Sequence, residues 1–131
     1  MITVQTDGAT NVKTMQSGAG IYIKNNDEFF SYKIPLGEMS NHEAEFHAVI
    51  HALKICNEYF PNEILAFQTD AKIVVESIEK NFVKNKLFQP LLKQINELSD
   101  QHPHFFIKWI PNKDNFHADK LAKQAIHLNQ K

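Results

Sequence analysis

"ILAFQTDAK", residues 64–72, is an apolar run that ends in Gln-Thr-Asp, and the same three residues end the apolar run "MITVQTDGA" at residues 1–9. One aspartate after a strand is ordinary, because Asp favours turns and helix N-caps. Two such aspartates, Asp7 and Asp70, are less usual. They predict that two strands deliver carboxylates to one place, provided that the strands are neighbours.

Hydrophobic periodicity divides the chain into five strands and four helices. The polar residues 25–27 between two apolar runs predict a hairpin. Ser40, followed three residues later by Glu43, is typical of a capping box, and Pro90 fits the first turn of a later helix. The predicted strands are residues 2–6, 20–24, 28–36, 63–69 and 104–110, and the predicted helices are residues 41–59, 71–82, 87–99 and 114–128.

The order of these elements, βββαβααβα, predicts an α/β fold. Short links make the first three strands an antiparallel meander, whereas the helices between the later strands require parallel crossovers. A mixed sheet with helices on both faces follows. Because polar function gathers outside the carboxyl ends of parallel strands, we expect Asp7 and Asp70 to lie side by side if the first and fourth strands are adjacent.

Length and composition limit the class of protein. The 131 residues, 43% hydrophobic and 22% charged, fit a single globular domain spanning residues 1–131. With one cysteine and no signal peptide or membrane span in the pattern, we expect a soluble, cytoplasmic monomer. The net charge of −1 and pI near 6.6 argue against a protein that grips nucleic acid through bulk positive charge, so any such partner must be held locally.

Two further carboxylates occupy unusual positions. Glu45 heads the apolar face of the first predicted helix, and Asp119 lies at the margin of the inward face of the last one. Each alone is adequately explained as a cap, a turn residue or a half-exposed charge. Together with Asp7 and Asp70 they form four hard oxygen donors without thiolates, a set that suits Mg²⁺ or Mn²⁺ and phosphoryl-transfer chemistry.

Four motifs, in order, resemble the ribonuclease H type 1 family in its short form. "TDGAT" resembles the family's Asp-Gly-x-Ser/Thr strand, and "SNHEAEFHAVIHAL" its Asn-x-x-Ala-Glu-Tyr/Phe helix. "QTDAKIVV" resembles its Thr-Asp-Ser strand end, and "IPNKDNFHADKLAKQA" its closing Pro-x-x-x-Asn-x-x-Ala-Asp-x-Leu-Ala motif. The resemblance spans nearly the whole chain, and it implies a ribonuclease H-like fold with five strands in the order 3-2-1-4-5.

The resemblance also implies a site and an activity. Asp7, Glu45, Asp70 and Asp119 would hold two Mg²⁺ or Mn²⁺ ions, and the RNA strand of an RNA/DNA hybrid would be hydrolysed to 3′-hydroxyl and 5′-phosphate ends. Asp7 would bridge the ions, with Asp119 at the ion of the attacking water and Glu45 and Asp70 at the ion of the leaving group. The residues expected to bind substrate are Gly8, Thr10, Asn11, Asn41 and Asn115.

Three departures from the family pattern leave a second hypothesis open. "NVKTMQSGAG" replaces an Asn-Pro-Gly turn, scattered lysines replace a basic insertion, and Asn112 stands where short forms usually carry arginine. The alternative is a nucleic-acid-binding module of the same fold, with weak or lost hybrid cleavage. No counterpart of the longer enzymes' loop histidine is present, and His117 is expected to face solvent more readily than to aid the site.

The histidines suggest a rival zinc site that geometry disfavours. His42 and His47 are five residues apart, about 140° around a helix, and so do not share a metal as an i, i+4 pair does. His47 and His51 have i, i+4 spacing but no third ligand in the sequence, so a solvated helix face is the preferred interpretation.

Overall fold

The computed structural model describes residues 1–129 and confirms a five-stranded mixed sheet with helices on both faces. Its strands are β1 (Ile2–Thr10), β2 (Gln16–Asn25), β3 (Glu28–Glu38), β4 (Leu65–Thr69) and β5 (Phe105–Trp109), and its helices are α1 (Asn41–Tyr59), α2 (Lys72–Lys80), α3 (Gln89–Ser99) and α4 (Phe116–Ile126). A short 3₁₀ turn, Asn112–Asp114, precedes α4. Within the described residues, no helix has both the length and the apolar character to cross a membrane.

The sheet has the predicted strand order, β3-β2-β1-β4-β5. The meander β1-β2-β3 is antiparallel, whereas β4 is parallel to both β1 and β5. In the β1–β4 pair Gln5 lies opposite Gln68, so the two Gln-Thr-Asp stretches run side by side. This register explains the repeated motif, because it brings Asp7 next to Asp70 just beyond the last parallel β1–β4 pair.

The first two strands are longer than predicted, and this part of the prediction was wrong. β1 continues to Thr10 and β2 begins at Gln16, which leaves a five-residue connection instead of a long loop. Glycine in a strand is usually a weak point, but here it makes room for a helix. An added Cβ on Gly20 would lie 2.0 Å from the backbone oxygen of Ala118 in α4, and one on Gly18 would lie 2.6 Å from that of Ala122.

Two helices sandwich the centre of the sheet. α1 packs on β1 and β2 from one side, and α4 packs on β1, β2 and β3 from the other. The predicted capping box opens α1: the Glu43 amide donates to Ser40 Oγ (3.2 Å), and the Ser40 amide donates to Glu43 Oε1 (3.0 Å). The predicted apolar face of α1 is buried, and it consists of Val49, Ala52, Leu53 and Cys56.

Two helix ends differ from the prediction for local reasons. α2 ends at Lys80 because Asn81 takes the left-handed conformation (φ 53°, ψ 38°) that closes many helices. α4 begins at Phe116, two residues late, because residues 112–114 form the 3₁₀ turn. That turn lies next to the ends of β1 and β4, so the difference bears directly on the site.

Candidate metal centre

Three of the four predicted carboxylates meet where the parallel β1–β4 pairing ends and α1 begins. Asp7, Glu45 and Asp70 each offer an oxygen, and these oxygens lie within 4.8 Å of one another. Gly8 makes the meeting possible, because a Cβ at this position would lie 2.4 Å from the backbone carbon of Ala44 and 2.5 Å from the backbone nitrogen of Glu45. The absent side chain lets the first turns of α1 rest directly against β1.

The cluster is electrostatically costly without a cation. Burial, followed by the charge of Asp70 and by contact with Asp119, raises the pKa of Asp7 from 3.8 to about 9. Burial and the charge of Asp70 raise the pKa of Glu45 from 4.5 to about 7. A divalent ion removes such repulsion, and an all-oxygen donor set without thiolates suits Mg²⁺ or Mn²⁺. The residues present therefore fit the metal site that the sequence predicts.

Asp119, the fourth predicted ligand, lies beside Asp7 but outside the group of three. It comes from the first turn of α4 and contributes a hydrogen bond and a charge that both raise the pKa of Asp7. Lys123, one turn later, places its Nζ 3.1 Å from Asp119 Oδ2. The fourth carboxylate is thus partly neutralised by a lysine that the sequence prediction did not include.

The cluster lines an open cleft of about 290 Å³. Of the predicted substrate-binding residues, Gly8, Thr10 and Asn41 line this cleft. Asn11 instead stabilises the β1–β2 turn, because its Oδ1 accepts hydrogen bonds from the backbone amides of Lys13 (2.9 Å) and Thr14 (3.2 Å). Its side chain is already engaged in holding that exposed turn together.

Asn115 is fully buried beneath the cluster. Its Nδ2 donates to the backbone oxygen of Thr6 (2.9 Å) and to Asp70 Oδ1 (3.3 Å), while its Oδ1 has no hydrogen-bond partner among the described residues. The structure therefore places Asn115 against a predicted metal ligand and not at the surface of the cleft. It joins the β1 end, the β4 end and the start of α4.

Other polar contacts around the site were not predicted from the sequence. Asn112 Nδ2 donates to Asp70 Oδ2 (2.7 Å), and the Trp109 indole donates to the Asp70 backbone oxygen (3.2 Å). Gln5 Nε2 donates to Gln68 Oε1 (3.0 Å), so the glutamines of the repeated motif bind each other. The repeat of "QTD" was the signal for the glutamine pair, whereas nothing in the sequence singled out the hydrogen bond of Asn112.

No histidine of the described residues belongs to the carboxylate cluster, although His42 lines the neighbouring cleft with Glu45 and Asp70. His117 is exposed, and its ring stacks on that of Tyr22 with centroids 4.3 Å apart. Burial lowers the pKa of both His47 and His51. Within residues 1–129 neither belongs to a group of three potential metal ligands.

Comparison with known proteins agrees with this fold. Residues 5–125 match the model of a protein family described as "Reverse transcriptase-like". "Putative hydrolase EbsB" of Enterococcus faecalis is 41% identical over 128 residues, which cover 96% of this chain and 94% of that protein. "Bifunctional protein Rv2228c" of Mycobacterium tuberculosis is 26% identical, and the chain spans about a third (35%) of its length.

Solved structures show the same fold. The N-terminal RNase H domain of Rv2228c superposes with a TM-score of 0.88 at 24% identity, covering 97% of this chain and 94% of that one. LC11-RNase H1, solved in complex with an RNA/DNA hybrid, superposes with a TM-score of 0.89 at 21% identity and 98% coverage of both chains. The fold is that of ribonuclease H. The chain belongs to the reverse transcriptase-like family, in agreement with the resemblance seen in its four motifs.

Proposed function

We propose that this protein is a metal-dependent endonuclease that hydrolyses the RNA strand of RNA/DNA hybrids. The observation that carries the proposal is the meeting of Asp7, Glu45 and Asp70 within 4.8 Å, with Asp119 beside Asp7. A structural relative, LC11-RNase H1, is described in complex with an RNA/DNA hybrid, and the relative EbsB carries the name of a hydrolase.

The four carboxylates would hold two Mg²⁺ or Mn²⁺ ions, with Asp7 between Asp119 on one side and Glu45 with Asp70 on the other. Bound there, such ions supply an activated water and stabilise charge on the phosphate oxygens. The water oxygen would bond to phosphorus as the bond from phosphorus to the 3′ oxygen breaks, which leaves a 3′-hydroxyl and a 5′-phosphate.

The chain's own residues would position the substrate. Gly8 and Thr10 at the end of β1 and Asn41 at the start of α1 line the cleft beside the carboxylates. Their small or neutral side chains admit a phosphate backbone without adding negative charge. Asn11 and Asn115 would act indirectly in this scheme, the first by shaping the β1–β2 turn and the second by holding Asp70.

A second candidate is a nucleic-acid-binding module of the same fold with weak cleavage. The contact that favours it is the pairing of Lys123 with Asp119, because a lysine at 3.1 Å competes with a cation for that carboxylate. A protein of this kind would bind the hybrid and release few products. The two candidates therefore differ in turnover and not in binding.

A cleavage assay separates the candidates. We expect an end-labelled RNA/DNA hybrid to be cut in Mg²⁺ or Mn²⁺ and left intact in EDTA, and the corresponding RNA and DNA duplexes to resist. Asp70→Asn should reduce the rate at least about 100-fold, since loss of a ligand disturbs the placement of both water and leaving group.

Asp27→Asn is the matched control, because this aspartate is exposed in the β2–β3 hairpin turn, away from the cleft. It should cleave at the wild-type rate. Hybrid binding without metal-dependent products would favour the second candidate. An unchanged rate for Asp70→Asn would refute the assignment of the site.

A further inference from the structure

Both carboxylate oxygens of Asp70 are held by neutral amides from one short segment. Asn112 Nδ2 donates to Oδ2 at 2.7 Å, and Asn115 Nδ2 donates to Oδ1 at 3.3 Å. The Trp109 indole donates to the backbone oxygen of the same residue at 3.2 Å. Residues 109–115 thus contact the Asp70 carboxylate and its backbone through three donors.

The two asparagines differ in what else they do. Asn115 is fully buried and also bonds to the backbone of Thr6, so its removal would disturb the packing under the site. Asn112 is exposed. Its side chain donates the shorter of the two bonds to the Asp70 carboxylate, and it borders both the cleft over the cluster and the neighbouring one beside Trp109.

The turn that carries Asn112 is stabilised without its side chain. The amide of Asp114 donates to the Pro111 oxygen (2.9 Å), and that of Asn115 donates to the Asn112 oxygen (2.9 Å). Gln5 Nε2 reaches the Asp114 oxygen at 3.4 Å. Because these bonds use backbone atoms of the turn, replacing the Asn112 side chain should leave the turn in place.

We infer that Asn112 is a positioning residue, which fixes the rotamer of Asp70 so that its carboxylate is oriented for a divalent cation before the cation arrives. This inference rests on the proposed function and deepens it. An amide orients the carboxylate without neutralising it, so the full negative charge stays available to the cation. A carboxylate oxygen has two lone-pair directions, and one hydrogen bond to each oxygen leaves the second free.

Preorganised ligands bind more tightly because less freedom is lost on binding. Asn112→Ala should therefore weaken Mn²⁺ affinity about 10-fold, measured by isothermal titration calorimetry with the ion alone. If the protein cleaves hybrids, kcat in subsaturating Mn²⁺ should fall by a similar factor with little change in KM for the hybrid. Asn112→Gln, which keeps the amide donor, should recover part of the affinity.

Lys113→Ala is the matched control, since this neighbouring side chain is exposed and belongs to neither the cluster nor the proposed contacts. It should bind Mn²⁺ like the wild type. Asn112→Ala should also melt within about 2 °C of the wild type, as expected for an exposed position. In an Asp70→Asn background, Asn112→Ala should cause no further loss of affinity, because the group that it orients is already changed.

The outcomes separate this inference from the proposed function. Hybrid cleavage with wild-type Mn²⁺ affinity in Asn112→Ala would overturn the inference and leave the function standing. Weakened Mn²⁺ affinity in a protein that cleaves no hybrid would overturn the function and support the inference. Failure of the intact protein to bind Mn²⁺, or an equal loss of affinity in the Asp70→Asn background, would also overturn the inference.

Discussion

Replacing Asp7 by asparagine should stabilise the metal-free protein, although it should abolish activity. Burial and acidic neighbours raise the pKa of Asp7 from 3.8 to about 9, so the folded protein holds a proton that the unfolded chain releases. At about 1.4 kcal/mol per pKa unit, the interval from 3.8 to pH 7.5 gives an upper limit of about 5 kcal/mol for the free energy that this carboxyl costs the folded state at pH 7.5. Relaxation and water entry reduce this cost, so we expect Asp7→Asn to raise the free energy of unfolding by about 2 kcal/mol.

The sign of the pH dependence follows from the raised pKa. Because the folded state binds more protons than the unfolded chain, the wild type in EDTA should lose stability as the pH rises from about 4 towards 9. Glu45, with its pKa raised to about 7, adds to the loss in the lower part of this range. Asp7→Asn should flatten the profile.

Urea unfolding followed by circular dichroism, in EDTA at pH 5, 6.5 and 8, measures both effects. The exposed Asp27→Asn should stay within about 0.5 kcal/mol of the wild type at each pH. An Asp7→Asn protein that is no more stable than the wild type at pH 8, or that keeps the wild-type slope, would refute the electrostatic account of the cluster.

Three further predictions concern Mg²⁺ binding, the ion pair of Lys123 with Asp119, and the packing of β2 against α4. Saturating Mg²⁺ should raise the melting temperature of the wild type by several degrees, since about 100-fold excess over Kd contributes about 2.7 kcal/mol. The same Mg²⁺ concentration should shift the thermal melt of Asp70→Asn by much less, because that protein binds the ion more weakly. Lys123→Met should strengthen Mn²⁺ binding about 2- to 5-fold in calorimetry, because the lysine no longer pairs with Asp119, and should change the free energy of unfolding by under about 1 kcal/mol, because that pair is partly exposed. Weaker Mn²⁺ binding would show that Lys123 does not compete with the cation. Gly20→Ala should lower the free energy of unfolding, measured in urea, by at least about 3 kcal/mol, because its Cβ would lie 2.0 Å from an atom of α4. Gly37→Ala, which has open space around it but φ +78°, should cost only about 1 kcal/mol, and equal costs would contradict the packing explanation.

Periodicity and the repeated motif predicted most of this fold because each depends on local pattern. The two Gln-Thr-Asp stretches follow apolar runs, and parallel pairing in register puts their aspartates side by side. Glu45 was predicted from its place on the buried face of a helix. The start of β2 before residue 20 was missed because Gly18 interrupts the apolar run, and only the position of α4 shows why glycine is needed there. The extension of β1 follows from the same error, since β1 pairs with β2 as far as Thr10.

The contacts that the sequence did not predict have no distinctive sequence pattern. Asn112 and Asp70 are 42 residues apart in the chain, and an exposed amide in a turn has no periodic or charge signature. Lys123 has ordinary i, i+4 spacing to Asp119, but this spacing is common on helices and does not identify a metal site. The contact between Asn112 and Asp70 forms only when the 3₁₀ turn has been placed against the residues that follow β4.

Packing in the hydrophobic core must offset the unfavourable free energy of the carboxylate cluster. The large side chains Phe46, Phe67 and Leu53 are almost completely buried in the main hydrophobic core, each contributing about 1.5–3 kcal/mol. The raised pKa values of Asp7 and Glu45 act in the opposite direction at neutral pH. A cation that binds the folded state relieves this repulsion, so core stability and metal binding are linked. A core substitution such as Phe46→Ala should lower the free energy of unfolding of the metal-free protein, and excess Mg²⁺ should restore part of the lost stability.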